Sequence, residues 1–295
     1  MVIIVNPTAG RGRGRKAIAV VSEYLTQNAI EHTVLTTTAP GEATKLAREA
    51  AEGGEELVIA CGGDGTMREV ACGLLGTNAV MGLIPGGTGN DFATSIGCDK
   101  DDPLACIKKI MRRDVRKIDV GYANDMPFIN ICACGLDMDL FEASLPIKKR
   151  ISGIAAYVLA LFAILPKFHP KVARISVNGA EPVPYNVTIL CVSNSPLFGG
   201  GMKAAPGALI DDGELDCNVI FDYYRRHIFS LLPRFIGGKY NKIKKHTFSR
   251  TTNVVVHTDK PVPFEVDGDR GPIADVGKPV TITLHHKELA ICGMQ

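Results

Sequence analysis

Short β-branched runs alternate with helix-forming segments through about the first 120 residues, and this order constrains the fold more than any other feature. It is typical of βαβ units, whose parallel strands form one sheet with helices on its faces. Ligands of such sheets bind outside the carboxyl ends of the strands. We therefore predict a doubly wound α/β domain here, with its binding site at that edge.

The pattern changes after about residue 115, where strand-like runs are separated by turn residues. This change predicts a mostly antiparallel, β-sandwich-like second domain. Two helices are predicted within it, at 151–165 and around 223–238. The predicted domains are residues 1–122 and 123–295, with a last strand that can return to the first domain.

The net charge and the cysteine positions exclude some classes of protein. A formal net charge of +2 over 295 residues does not suggest a dedicated nucleic-acid binder. Nine cysteines lie mostly in apolar runs and lack metal-ligand spacing, as expected for a reduced, cytoplasmic protein. The first residues enter a strand without a basic segment before it, so we expect no signal peptide.

The segment 151–165 contains fifteen residues without a charge. A membrane-spanning helix needs about 20 apolar residues, so this segment is too short to cross a bilayer. We expect a buried helix here. The alternative is a helix that contacts a membrane surface or a lipid tail.

Three glycine-bearing loops follow three of the predicted strands. They read NPTAGRGRGR after the first strand, GGDGT after the third and PGGTGNDF after the fourth. Glycine lets the backbone approach a phosphate, and the helix that follows adds a favourable dipole. Since all three loops leave the same edge of the sheet, we treat them as one phosphate-binding site.

Carboxylates occur within this predicted phosphate site. Asp64, Asp91 and Asp119 each follow or end a predicted strand on the same side. Mg²⁺ takes one or two carboxylates together with phosphate oxygens, and it makes a carboxylate tolerable beside a polyphosphate. We therefore expect two or three of these aspartates to gather around a hydrated Mg²⁺ that assists phosphoryl transfer. The chain has no GxxxxGK[ST] motif, which excludes a P-loop NTPase.

The same residues also have a purely structural interpretation. Thr66 and Glu69 fit the capping box that opens a helix, and Asp91 fits a helix N-cap. Asn6 and Pro7 fit a turn at the end of a strand. Capping and phosphate binding use the same helix N-terminus, so the two interpretations are compatible.

The segments NPTAG, GGDGT and PGGTGNDFA, together with RKIDVG and APGALIDDGELD, resemble the diacylglycerol kinase family, including its bacterial soluble lipid kinases. The similarity runs nearly the full length of the chain. GGDGT alone also resembles loops of NAD kinases and phosphofructokinases, whereas PGGTGND together with IDDGELD is more specific. The resemblance implies an N-terminal nucleotide-binding kinase domain, ATP and Mg²⁺ as cofactors, and a lipid hydroxyl as the acceptor.

The resemblance also implies which residues bind the nucleotide and its Mg²⁺. They come from the three glycine-bearing loops, from an isolated threonine and from the aspartate at the domain junction. These residues are Asn6, Pro7, Thr8, Ala9, Gly10, Thr37, Gly62, Gly63, Asp64, Gly65, Thr66, Glu69, Gly87, Thr88, Asn90, Asp91 and Asp119. A separate structural Mg²⁺ is implied at Asp212, with the backbone carbonyls of Leu209 and Glu214. Taken alone, the run DDGELD is more often an acidic turn.

The chain departs from the family at the general base. The family uses the glutamate of a DGE motif, and this chain reads FEVDGDRG, so Asp269 stands in its place. Aspartate is one methylene shorter with a similar intrinsic pKa, and it can accept a proton if the loop moves closer or a water intervenes. Glu265 and Asp267 are alternatives, which strand alternation predicts on the same face as Asp269. Asp64 and Asp269 are the predicted catalytic residues.

The sequence therefore predicts a kinase that transfers the ATP γ-phosphoryl group to diacylglycerol or a related glycerolipid. The alternatives are an NAD kinase-like enzyme and a weakly catalytic nucleotide- or lipid-binding regulator. Basic residues at 225–227 and 239–246 favour an anionic membrane surface, and a solvated charged face is the alternative. We expect a cytoplasmic, peripherally membrane-associated protein with a lipid substrate and no nucleic acid. A homodimer is compatible with the sequence.

Overall fold

The computed structural model describes residues 1–148, 151 and 154–294. The elements are β1 (Val2–Val5), α1 (Ala9–Gln27), β2 (Thr33–Thr36), α2 (Glu42–Glu52), β3 (Leu57–Gly62), α3 (Asp64–Leu74), β4 (Val80–Pro85), α4 (Asp91–Ser95), α5 (Pro103–Ile110), β5 (Val115–Ala123), β6 (Met126–Phe128), β7 (Ile131–Gly135), α6 (Leu136–Lys148), α7 (Ile154–Ile164), β8 (Lys171–Val177), β9 (Val183–Ser193), β10 (Leu215–Phe221), α8 (Arg225–Ile236), β11 (His246–Thr251), β12 (Asn253–Thr258), β13 (Val262–Val266), β14 (Asp269–Ala274) and β15 (Val280–Cys292). The predicted α/β fold class is confirmed.

The chain divides into two compact units. The first contains residues 1–119 and 286–295, and the second contains residues 120–285. Strands β5 and β15 each contribute residues to both units.

The first unit contains a parallel sheet. Its strands pair in the order β2–β1–β3–β4, and Ile291 of β15 pairs in parallel with Met81 of β4. Ile3, Ile4 and Ile59 are fully buried, as expected where helices cover both faces of parallel strands. Strand β1 lies between β2 and β3, so the chain extends the sheet first on one side of β1 and then on the other. Such a reversal of strand order is where ligands bind in open α/β sheets.

Strands β7 to β14 of the second unit pair antiparallel with one another, and β12 also pairs antiparallel with β15. Alternate residues of β9 point to different cores, because side chains on a strand alternate between its two faces. Leu190 and Val192 join one core, whereas Ile189 and Cys191 join a second core with α6, α7 and α8. The sheet therefore presents one face to these three helices.

Two helices and two strands were not predicted from the sequence. Helix α6 was missed because its residues include Pro146, which normally interrupts a helix. Strand β14 was missed because it contains Gly271 and Pro272, which are rare within strands. Helix α4 and strand β11 are short. The predicted helix 151–165 corresponds to α7, and residues 152 and 153 lie outside the described residues.

The expectation that segment 151–165 forms a buried helix is wrong, because Val158, Leu159 and Phe162 on α7 are 44%, 45% and 59% exposed. Across the described ranges, none of the helices is long and apolar enough to span a bilayer. All nine cysteines are free, and eight of them are buried. This agrees with their predicted use as small apolar side chains.

A tight turn joins β13 to β14. Asp267 and Gly268 both have positive φ values, 49° and 85°, and Val266 pairs with Asp269 across the turn. Two-residue hairpins of this kind favour an Asp-Gly pair. The Asp267 carboxylate accepts three backbone N–H groups, from residues 129–131, at 2.7, 2.9 and 2.8 Å. The carboxylate therefore anchors the turn to the segment that enters β7.

We expect Asp267→Asn to lower the free energy of unfolding by about 1–3 kcal/mol, because an amide nitrogen cannot accept the N–H that one carboxylate oxygen receives. Urea denaturation measures the change. Asp259→Asn is the control, because Asp259 forms one exposed ion pair with Arg174, and its effect should stay within about 0.5 kcal/mol. Equal losses in the two variants would contradict this account of the turn.

Candidate active site

The three glycine-bearing loops of the first unit lie in direct backbone contact. A Cβ atom on Gly10 would lie 2.4 Å from the carbonyl oxygen of Gly86, and one on Gly87 would lie 2.4 Å from the Cα of Gly63. Gly10 also has a positive φ of 56°. Because backbone atoms cannot yield as side chains do, only glycine fits at these contacts. The loops after β1, β3 and β4 therefore meet, as predicted, at one edge of the sheet.

The first loop is closed by its own asparagine. The Asn6 side-chain oxygen accepts the N–H of Thr8 at 3.1 Å and its hydroxyl at 2.8 Å, and the Asn6 N–H donates to Cys61 at 3.0 Å. This confirms the strand-ending turn. The N–H of Thr37, after β2, donates to the Val5 carbonyl at 2.9 Å. Its side chain therefore lies beside the end of β1.

Asp64 joins the second loop to the third. Its Oδ2 accepts the N–H of Asn90 at 2.7 Å, and its Oδ1 accepts the N–H of Phe92 at 3.4 Å. Asn90 in turn closes the third loop by accepting the N–H of Gly87 at 2.8 Å and donating to its carbonyl at 3.0 Å. Burial raises the pKa of Asp64, and the backbone N–H groups only partly oppose this.

Glu69 caps a different helix from the one predicted. Its two carboxylate oxygens accept the N–H groups of Gly41 and Ala43, at 2.9 and 3.1 Å, where α2 begins. The predicted capping box with Thr66 is wrong, because α3 already begins at Asp64 and Thr66 lies within it. The acidic side chain therefore secures the loop that follows β2.

The helix start near Asp91 differs by one residue from the prediction. Asn90 is the N-cap of α4, and Asp91 is its first helical residue, with 6% of its surface exposed. The other predicted loop residues, which lie in or beside this loop cluster, are Pro7, Ala9, Gly62 and Thr66.

Asp119 lies in the interior of a strand. It is the fifth residue of β5, which continues to Ala123, so the prediction that it ends a strand is wrong. The residue is fully buried. Its Oδ1 accepts the N–H of Lys287 at 2.7 Å and lies 2.8 Å from Nδ1 of His286. These partners lie on β15, far along the chain, where local sequence patterns could not reveal them.

The three aspartates do not form a shared metal site. Among the residues that the structure describes, no group of three or more His, Cys, Asp and Glu side chains is arranged to hold a metal ion. A Mg²⁺ bound chiefly by phosphate oxygens and water needs only one or two carboxylates. Asp64 and Asp91 lie on adjoining loops, the second and the third.

Gly65 has no structural reason to be glycine. It is exposed in the first turn of α3, it has no positive φ, and an added Cβ would meet no atom of the described protein within 4 Å. Thr88, in the third loop, is exposed as well. The space beside the first turn of α3 is therefore open at Gly65.

In the second unit, Asp269 is the first residue of β14 and is exposed. Val266 lies opposite Asp269, whereas Glu265 lies opposite Arg270. Directly opposite residues share a face, so the prediction that Glu265 lies on the face of Asp269 is wrong. The turn reverses the chain between them. Glu265 is fully buried and Asp267 is 8% exposed, which leaves Asp269 as the exposed acid.

An apolar cavity lies in the second unit, and one of its walls is α7, the segment for which contact with a lipid tail was the alternative interpretation. The cavity has a volume of about 240 Å³ and lies among α6, α7 and α8. Phe162 and Phe229 line it and are 59% and 54% exposed, with ring centroids 5.8 Å apart. Of the lining residues that the structure describes, Asp137 alone is ionisable. Other lining residues include Leu140, Val158, Leu161 and Leu232.

The structural Mg²⁺ implied at Asp212 stays a prediction, and a side-chain cation lies beside the same acidic turn. The Arg250 guanidinium lies 3.5 Å from Asp212, 3.4 Å from Glu214 and 3.6 Å from Asp216. One side-chain cation thus serves three carboxylates. Leu209, whose carbonyl was expected as a ligand together with the carbonyl of Glu214, is 55% exposed.

Arg250→Met should lower the free energy of unfolding by about 1 kcal/mol, discounted for exposure of the ion pairs, because three carboxylates lose their cation. Millimolar Mg²⁺ should restore part of this loss, and EDTA should leave the wild-type melting temperature unchanged. Arg174→Met, which breaks one exposed pair, is the control. A fall in wild-type stability on addition of EDTA would contradict the role given to Arg250.

Comparisons with known proteins agree with this geometry. A family model for the diacylglycerol kinase catalytic domain matches residues 1–123, and one for the YegS C-terminal NAD kinase beta sandwich-like domain matches residues 133–291. A diacylglycerol kinase of Bacillus subtilis is 31% identical over 91% of this chain and 89% of its own length. A diacylglycerol kinase of Mycobacterium tuberculosis is 26% identical, over 90% and 87%.

Solved structures extend the comparison to the fold. A protein from Bacillus anthracis, proposed to be a diacylglycerol kinase, is 26% identical with a TM-score of 0.80, over 98% of this chain and 95% of its own. An NAD kinase from Archaeoglobus fulgidus is 12% identical with a TM-score of 0.55, over 98% and 92%, and shares the fold alone. The chain belongs to the diacylglycerol kinase family of lipid kinases, as its motifs predicted.

Proposed function

We propose that this kinase transfers the γ-phosphoryl group of ATP to the hydroxyl of a lipid, with diacylglycerol or a related glycerolipid as the acceptor. The apolar cavity with its exposed aromatic residues carries the proposal. A hydrocarbon chain gains from such a cavity, whereas a soluble dinucleotide would gain nothing from it.

The nucleotide is assigned to the loop cluster of the first unit. The loops after β1 and β3 lie at the point where the strand order reverses, which is the usual ligand position in open α/β sheets. Gly65 leaves room for a phosphate beside the first turn of α3, whose N-terminal dipole favours an anion. Thr88, in the loop after β4, has an exposed hydroxyl that can donate to phosphate.

Asp64 and Asp91 are the carboxylates that would face Mg²⁺. When bound, Mg²⁺ supplies neutralisation of the charge that develops on the transferred phosphoryl group. Asp64 also holds the second and third loops together, so it fixes the position of the backbone N–H groups that would contact phosphate.

Asp269 is assigned as the general base that accepts the proton of the lipid hydroxyl. It is exposed at the end of a turn that hydrogen bonds hold on both sides. A positioned general base contributes about 10²–10⁴-fold to a rate. The shorter aspartate side chain requires a closer approach than the family's glutamate.

The lipid chain is assigned to the cavity among α6, α7 and α8. Each buried methylene of a chain contributes about 0.8 kcal/mol. Arg225 and Arg226 are exposed and lie four and three residues before Phe229 on α8, so they share its side of the helix. Basic residues near an anionic bilayer contribute about 1 kcal/mol each. This arrangement supports peripheral contact with a membrane.

We expect Gly65→Ala to weaken ATP binding at least about tenfold, equivalent to about 1.4 kcal/mol, without loss of stability. The added methyl enters the space assigned to phosphate and meets no protein atom. Gly207→Ala is the control, because its Cβ would approach only Asp216, at 4.0 Å. Calorimetric titration with ATP and a thermal melt provide the two measurements. Unchanged ATP affinity in Gly65→Ala would contradict the assignment of a phosphate to this position.

The function is tested with ATP, Mg²⁺ and dioctanoylglycerol, with NAD as the competing acceptor. We expect a phosphorylated lipid and no NADP. Val158→Trp, at the cavity, should raise the KM for dioctanoylglycerol about tenfold or more, since the bulky ring occupies chain-binding space. Val172→Trp is the matched control, because Val172 is equally a surface valine, 62% exposed, on β8. Phosphorylation of NAD and not of the lipid would contradict the proposal and favour an NAD kinase-like activity.

A further inference from the structure

Two acidic side chains are buried together in the second unit. Asp137 is 4% exposed at the start of α6, and Glu265 is fully buried in β13. Burial raises the pKa of Glu265 well above its usual range, and the neighbouring Asp137 raises that pKa further. Neighbouring carboxyl groups in a low dielectric disfavour ionisation of one another.

This acid pair contacts two features to which the proposed function gives a role. Asp137 lines the apolar cavity. Glu265 accepts the N–H of Gly268 at 2.6 Å through its Oε1, and Gly268 directly precedes Asp269. A short chain of contacts therefore runs from the cavity wall to the residue assigned as the general base.

The turn that carries Asp269 is held from both sides. Asp267 binds it to residues 129–131, and Glu265 binds it through Gly268. An apolar pair of similar volume often stabilises a core at least as well as buried acids do. The acid pair is therefore better explained by the geometry it imposes than by its contribution to stability.

We propose that Glu265 is a positioning residue that fixes Asp269 through Gly268, and that Asp137 couples this turn to the wall of the lipid-chain cavity. The proposal rests on the proposed function for the role of Asp269. Glu265 does not itself touch the substrate, because it is fully buried.

Glu265→Gln and Glu265→Leu separate positioning from packing. Glutamine keeps an oxygen for Gly268 and a donor for Asp137, so its kcat should stay close to wild type. Leucine has neither, and its kcat should fall roughly 10²-fold, as expected for a misplaced catalytic group, with an unchanged KM for ATP. Val262→Ala, a buried change in the same strand, should leave kcat unchanged. Wild-type kcat in Glu265→Leu would overturn the proposal.

Amide hydrogen exchange at Gly268 tests the same contact without any turnover. Exchange should be faster in Glu265→Leu than in the wild type or Glu265→Gln, and identical rates in all three would overturn the proposed hold on the turn. Dioctanoylglycerol without nucleotide should slow this exchange in the wild type and not in Asp137→Leu. No slowing in the wild type would overturn the coupling through Asp137. If the wild type phosphorylates no lipid, the proposed function is refuted. The exchange rates would still test the contact between Glu265 and Gly268.

Discussion

The contact between the backbones of three glycine-bearing loops is the constraint on which the rest of the first unit depends. Gly10, Gly63, Gly86 and Gly87 lie so close that an added Cβ would be within about 3.2 Å of another loop. This contact brings the ends of β1, β3 and β4 together where the strand order reverses. It also distinguishes these glycines, which the fold requires, from Gly65, which it does not.

The acidic residues near these loops form hydrogen bonds that stabilise the fold, in addition to the chemistry proposed for them. Asp64 accepts N–H groups from the third loop, and Glu69 caps α2. A carboxylate that is already hydrogen-bonded by the backbone is held in one orientation, so a cation or phosphate meets a fixed site. In the second unit, Asp267 and Glu265 hold the turn of Asp269 in the same manner.

The features predicted correctly from the sequence are those that depend on residues close together in the chain. Strand and helix periodicity indicated the α/β class, and the loop motifs indicated the family and the meeting of the loops. The partners of Asp119 lie on β15, and Arg250 comes from a strand that was not predicted. Three helices form the cavity, and one of them, α6, was not predicted because it contains Pro146. Such features depend on contacts between distant residues, which local periodicity does not report.

The central claim is that the phosphoryl group passes from ATP to a lipid. Its most direct test is incubation of the protein with γ-labelled ATP, Mg²⁺ and a total lipid extract, followed by separation of the organic and aqueous phases. The account predicts label in one organic-phase lipid, which mass spectrometry identifies as a phosphorylated glycerolipid. Label confined to a water-soluble dinucleotide, or ATP binding with no labelled product, would contradict it.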